Sequence, residues 1–144
     1  MKLKIKRLDG RAIIPKFATD GAACFDLHAI EPGYVCDVAN VSAVFSTGLS
    51  FEIPPGHVML VYSRSGHGFK HDVRLSNCVG VIDSDYRGEV MVKLTADTYG
   101  NLDVGHGERI AQAMIVALPV VQIEEVDELS DTARGAGGFG STGQ

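Results

Sequence analysis

Apolar residues in this chain gather in blocks too short and too β-branched to make helices. "HVMLVYS", "GVI", "EVMVKL" and "RIAQAMIVAL" are separated by Gly, Pro, Asn and Asp, and "KLKIKRL" alternates with period two. The valine-rich "VCDVANVSAVFSTGLSFEI" carries turn residues along its length. No segment keeps helical periodicity beyond about three turns. The one short helix expected follows Ser65 through "GHGFKH", where two glycines weaken it. Many short strands joined by Gly/Pro turns predict an all-β fold, a distorted jelly-roll barrel with a glycine-rich C-terminal arm. The 144 residues, 45% hydrophobic, suffice for one domain with a closed core, expected over residues 1–131.

Charge and cysteine usage narrow the function classes. A net charge of -5 argues against a general nucleic-acid binder, whose footprint is basic, but leaves room for a small anion held by a few arginines. The acidic run "EEVDELSD" and the lysines of "KLKIK" read as solvated surface. The three cysteines, Cys24, Cys36 and Cys78, form no CxxC pair and no ligand spacing with histidine. That scatter predicts free thiols in a reducing compartment. "MKLKIKRLDG" has no continuous apolar run, and no stretch reaches the ~20 apolar residues of a membrane span. A soluble, cytoplasmic protein without membrane or nucleic-acid partners is expected.

Five short stretches carry the chemistry. In "GVIDSDYRGEV", strand-like flanks enclose Asp83, Asp85 and Tyr86, more polar equipment than a hairpin needs. Read alone, the stretch is either a polar hairpin with a snorkelling tyrosine or a site in which Asp83, where the strand leaves the core, holds a water as general base. Asp85 reads as a turn residue, and Tyr86 offers a flat face with a polar tip for a sugar or base. In "SRSG", Arg64, Ser65 and Gly66 make either a compact phosphate clamp or an ordinary turn. In "GAACFDLHA", Asp26 sits among small and apolar residues and needs a backbone donor, an arginine or the water shell of a metal. Gln112 interrupts the apolar strand of "GERIAQAMI", either to bridge neighbouring strands or to touch a ligand.

The fifth stretch, "RGAGGFGSTGQ", has five glycines in eleven residues. It starts like a P-loop, but Ser141 stands where the lysine belongs and no helix follows, which excludes a Walker-type NTPase. Composition alone reads as a loose tail. Arg134, a lone Phe139 and the hydroxyls of Ser141 and Thr142 read instead as a lid that orders over phosphates. The five histidines show no metal spacing and receive no role.

In their order, "AACFDL", "SRSG", "NCVGVIDSDYRGEV", "GERIAQ" and "RGAGGFGSTG" resemble the motifs of the homotrimeric dUTPase family. The resemblance implies a uracil and deoxyribose pocket made by Asn77, Gly80, Val81, Ile82 and Met91, with Tyr86 beneath the sugar. It implies that Asp83 activates the water that attacks the α-phosphorus of dUTP, releasing dUMP and pyrophosphate. Arg64, Ser65, Gly66 and Gln112 would hold the phosphate chain, and Asp26 would hold Mg²⁺ through water. Phe139 would stack on the uracil, with Arg134, Gly140, Ser141 and Thr142 on the outer phosphates, as residues 132–144 close as a flexible lid. Each site would be shared among the subunits of a homotrimer. Cys24, Ser63 and His67-Gly68 depart from the family's usual residues without touching those assigned to chemistry. A dCTP deaminase shares the fold, but the tyrosine-bearing "DSDYRGE" and the aromatic glycine tail favour dUTP. A catalytically idle nucleotide-binding module would be free to lose Asp83, Arg64 or the tail, and all are present.

Overall fold

The structure, a computed structural model, describes residues 1–31, 34–37, 42–97, 102 and 104–140, with residues 34–37 as backbone only. Among the described residues ten strands and one helix follow one another: β1 (Lys4–Arg7), β2 (Phe25–His28), β3 (Tyr34–Asp37), β4 (Ser42–Ser46), β5 (Leu49–Glu52), β6 (His57–Tyr62), α1 (Ser65–His71), β7 (Val73–Leu75), β8 (Val79–Ile82), β9 (Met91–Ala96) and β10 (Arg109–Ala117). The all-β expectation and the single short helix are borne out.

Two four-stranded sheets, in the orders β2-β10-β6-β8 and β3-β4-β9-β7, are joined by a two-stranded β1-β5 ribbon. All the pairings are antiparallel. Alternation along the strands sorts the side chains: in β9, Val92, Leu94 and Ala96 point inward while Met91 and Lys93 point out. Phe25 and Leu27 of β2, Met59 and Val61 of β6, and Ile110, Ala111 and Ala113 of β10 share one core cluster with the other sheet. That sheet supplies Ala43 and Phe45 from β4, Val92 and Leu94 from β9, and Val73 and Leu75 from β7. The arrangement is jelly-roll-like, but among the described residues the barrel does not close. Among the described strands β8 ladders to β6 alone, and its other edge has no ladder partner there.

The anticipated hairpin over Gly80–Val90 is corrected at the same place. β8 and β9 do not pair with each other; they belong to different sheets. The reason lies in length. The residues between Ile82 and Met91 far exceed a hairpin turn, so the chain arches from one sheet to the other. β7 and β8, separated only by Ser76–Cys78, also lie in different sheets. The chain therefore changes sheet on both sides of β8. A gap opens between β8 and the paired β7 and β9.

Phe45 is fully buried and stands opposite Val92 across the β4–β9 ladder. At fixed protein concentration, Phe45→Ala is expected to cost about 3–5 kcal/mol in denaturant unfolding. A cost under about 1 kcal/mol would show that packing between the sheets is not what holds them. Among the described residues no helix is long and apolar enough to cross a membrane.

Candidate active site

A cavity of about 390 Å³ fills the gap beside β8, a size typical of small-ligand sites. Leu75, Ser76 and Asn77 form one wall, Gly80, Val81 and Ile82 the second, and Val90 to Lys93 the third. The sequence-selected Asn77, Gly80, Val81, Ile82 and Met91 are thus brought together. Asn77 is set by a tight turn in which the Cys78 amide donates to the Leu75 carbonyl (3.2 Å) and the Val79 amide to the Asn77 carbonyl (2.7 Å). Cys78 itself sits at φ 64°, in the left-handed region that non-glycine residues rarely take. At Gly80 the backbone presses on the core: a Cβ there would lie 3.1 Å from Cβ of Val61. Because β8 is an edge strand, alternate backbone N–H and C=O groups on its free side have no ladder partner. They are available to a ligand that offers complementary donors and acceptors.

Asp83 follows β8 directly and is exposed. Its carbonyl accepts the Tyr86 amide (3.2 Å), closing a turn with Ser84 and Asp85 at its tip. Tyr86, also exposed, donates its hydroxyl to the Glu89 carbonyl (3.0 Å). The arch is fastened to residues 47–50. Thr47 Oγ1 donates to the Val90 carbonyl (2.6 Å), Ser50 Oγ to the Arg87 carbonyl (2.7 Å), and the Gly48 amide to Glu89 Oε1 (2.7 Å). The Val90 amide donates to the Leu49 carbonyl (2.9 Å).

A second, open groove of about 510 Å³ is lined by Ser63, Arg64, Ser65, Gly68, Phe69, Asp72 and Gln112. It shares no lining residue with the first cavity. Gln112 Nε2 donates to the Ser63 carbonyl (2.9 Å), so the strand-bridging role is present. Gly66 lies in the first turn of α1. Asp26 has found arginines as partners: Arg64 Nε donates to Oδ1 (2.9 Å) and an Arg109 Nη to Oδ2 (3.3 Å). The Asp26 and Arg64 side chains are only 17% and 21% exposed, so solvent screens this pair weakly. Arg109 is the residue that sequence reasoning missed. Its signal was a charged residue at the head of the "RIAQ" strand, and the register places it opposite His28.

Burial pushes the imidazole of His28 below its usual range despite the Asp26 carboxylate nearby, and burial does the same to His67, helped by the Arg64 charge. Burial, and then the Asp26 charge, pushes the Cys24 thiol up, which makes it less reactive.

Among the described residues no group of three or more His, Cys, Asp or Glu side chains is arranged so as to hold a metal ion. One carboxylate with both oxygens on guanidinium groups cannot cage a metal. It fits only the outer hold on a hydrated ion whose direct ligands come from elsewhere. Arg134 and Phe139 stay away from both cavities. Arg134 Nε donates to the Gly137 carbonyl within the tail (2.8 Å), and Phe139 and Gly140 are exposed. Ser141 and Thr142 lie outside the described residues.

The sequence pattern of the dUTPase family matches residues 10–143. The chain belongs to the dUTPase family. It is 49% identical over 144 residues to the deoxyuridine 5'-triphosphate nucleotidohydrolase of Nautilia profundicola, covering all of both chains. It is 43% identical to the enzyme of the same name from a Picosynechococcus species, over 99% of each. Among solved structures it is similar to a mutant dUTPase of Staphylococcus bacteriophage 80alpha with dUpNHpp, at a TM-score of 0.81, 26% identity and 99% coverage of each chain. This family membership gives the cavity beside β8 and the groove beside α1 a common context.

Proposed function

We propose that this dUTPase-family chain hydrolyses dUTP to dUMP and pyrophosphate, with the gap beside β8 as the nucleoside pocket. The observation that carries the reading is the edge strand β8, whose free side offers backbone groups without a ladder partner between the Asn77 turn and Asp83. A pyrimidine edge presents donors and acceptors in the same plane, so this backbone and the Asn77 side chain can read uracil. Narrow walls leave no space for the methyl group of thymine, and Tyr86 beneath the sugar leaves none for a 2′-hydroxyl.

Asp83, at the end of the same strand, orients a water and takes its proton as the oxygen attacks the α-phosphorus. The α–β phosphoanhydride bond breaks and pyrophosphate leaves. Arg64, Ser65, Gly66 and Gln112 hold the phosphate chain; Arg64 supplies a charged fork already oriented by Asp26. Mg²⁺, carried on the substrate phosphates and held by Asp26 through water, would neutralise charge on the triphosphate. When a triphosphate arrives, Arg64 can exchange part of its contact with Asp26 for phosphate oxygens, which frees that carboxylate for the ion's water shell.

The two cavities of one chain share no lining residue, and among the described tail residues neither Arg134 nor Phe139 lines either of them. We infer that neighbouring subunits complete each site, in the homotrimer that the family resemblance implies, with residues 132–144 as the lid. Val120, Val121 and Ile123, 72–98% exposed in the single chain, are the kind of apolar segment that a neighbour would cover. The reaction removes dUTP before it can enter DNA and supplies dUMP for thymidylate synthesis, in the cytoplasm.

The deciding experiment offers dUTP, UTP, dTTP and dCTP in parallel with Mg²⁺ and follows pyrophosphate. Release from dUTP alone is expected. Silence on all four from a folded oligomer would move the chain to a nucleotide-binding module, and turnover of UTP or dTTP at the dUTP rate would overturn the pocket assignment.

A further inference from the structure

The geometry points to Gly88 as a specificity-determining position: the missing side chain there is what lets Tyr86 take the place from which it closes the sugar site. This rests on the proposed role of Tyr86 in rejecting a ribose. A Cβ built on Gly88 would stand 2.3 Å from Tyr86 Oη, 2.5 Å from Cζ and 2.9 Å from Cε2. The tyrosine ring therefore lies directly against the Gly88 backbone. Gly88 is not among the residues with positive φ, so another side chain could adopt its backbone conformation. What demands glycine is the ring itself.

An added methyl group must displace either the backbone or the ring, and the backbone on both sides is fixed. The Arg87 carbonyl accepts from Ser50, the Glu89 carboxylate from the Gly48 amide, and the Val90 carbonyl from the fully buried Thr47. Gly48 in turn is closely packed: it sits at φ 66°, and the Ala12 Cβ is only 2.9 Å from where a Cβ on it would stand. The ring, half exposed and held by one hydrogen bond from its hydroxyl to the Glu89 carbonyl, is the part that yields. Once Oη is driven off that carbonyl, the ring swings outward and the space beside C2′ of the sugar opens. Gly88 and Glu89 act through Tyr86 rather than on the nucleotide and are positioning residues.

The test is a double-mutant cycle read as kcat/KM for dUTP and for UTP. Gly88→Ala is expected to lower the dUTP-over-UTP ratio by about tenfold or more, the scale of effect that a misplaced substrate-positioning group produces. Tyr86→Ala should lower the ratio at least as far. Adding Gly88→Ala to Tyr86→Ala should then change nothing, because the Cβ has no ring to strike. Full additivity, or an unchanged ratio in a folded Gly88→Ala protein, would overturn the assignment. If Gly88→Ala alone does not fold, the same substitution in the Tyr86→Ala background still decides, because a fold restored there means that the ring was the obstacle. A different result, Tyr86→Ala leaving the ratio untouched, would instead overturn the sugar-rejecting role of Tyr86.

Discussion

Asp83→Asn is expected to lower dUTP turnover by about 10²–10⁴-fold, the range that a positioned general base contributes. Affinity for a non-hydrolysable analogue such as dUpNHpp should stay close to that of the unchanged protein. The separation follows from where Asp83 stands. It lies one residue beyond β8, whose backbone and glycine wall form the pocket, so the amide replacement leaves Asn77, Gly80 and Ile82 where they are. The turn is closed by main-chain atoms, the Asp83 carbonyl and the Tyr86 amide, and does not need the carboxylate. Asparagine can still orient a water but cannot accept its proton. Turnover within a few-fold of normal would remove Asp83 from the role of base; loss of analogue binding in step with turnover would make it a binding residue instead.

The strands that packing governs were legible in the sequence. β6, β9 and β10 are the longest, with six, six and nine residues, and their apolar blocks mark them without any knowledge of their partners. β2 and β7 were not. β2 is four residues within "AACFDLHA", where Asp26 and His28 alternate with Phe25 and Leu27, a pattern too short to separate from a loop. β7 has only Val73 to Leu75, directly after Asp72 at φ 52° ends the helix. Which strands pair was not legible at all. The flanks of Gly80–Val90 read as partners because they are neighbours in sequence, yet each finds a better surface in a different sheet.

The candidate site shows the same division. Asn77, Gly80 and Asp83 are close in sequence and form one recognisable stretch, so their grouping was visible in advance. The anchors of the arch were not. Thr47, Gly48 and Ser50 meet Val90, Glu89 and Arg87 across 37 to 43 residues, and nothing local about a threonine or a serine announces such a partner. Asp26 shows both sides: its need for a partner was evident from its apolar surroundings, while Arg109, 83 residues away, became its neighbour only through the β2–β10 register.

Stopping the chain after Asp131 should cut dUTP turnover by about a hundredfold, the scale of effect that lost substrate positioning produces, while the folded sheets survive. The last strand ends at Ala117, and none of the described residues from Leu118 onward is buried, so the core loses nothing. On the proposed role of the tail as a lid, what is lost is specific to the triphosphate complex. The tail presents Phe139 fully to water, at φ 50° between Gly138 and Gly140. Covering that ring contributes about 1.5–3 kcal/mol. Ordering a glycine-rich segment costs about 1–2 kcal/mol per residue. The ring alone therefore cannot close the lid; phosphate contacts from Arg134 and the backbone amides must add to it. A nucleotide without β- and γ-phosphates offers few of those contacts, so closure should follow dUTP and release should follow cleavage. The truncated protein should accordingly bind dUMP about as well as the whole chain and lose its advantage only with dUTP. Equal turnover of the two proteins would leave the tail without a part in catalysis. Weakened dUMP binding would mean that the tail holds the nucleoside rather than the phosphates.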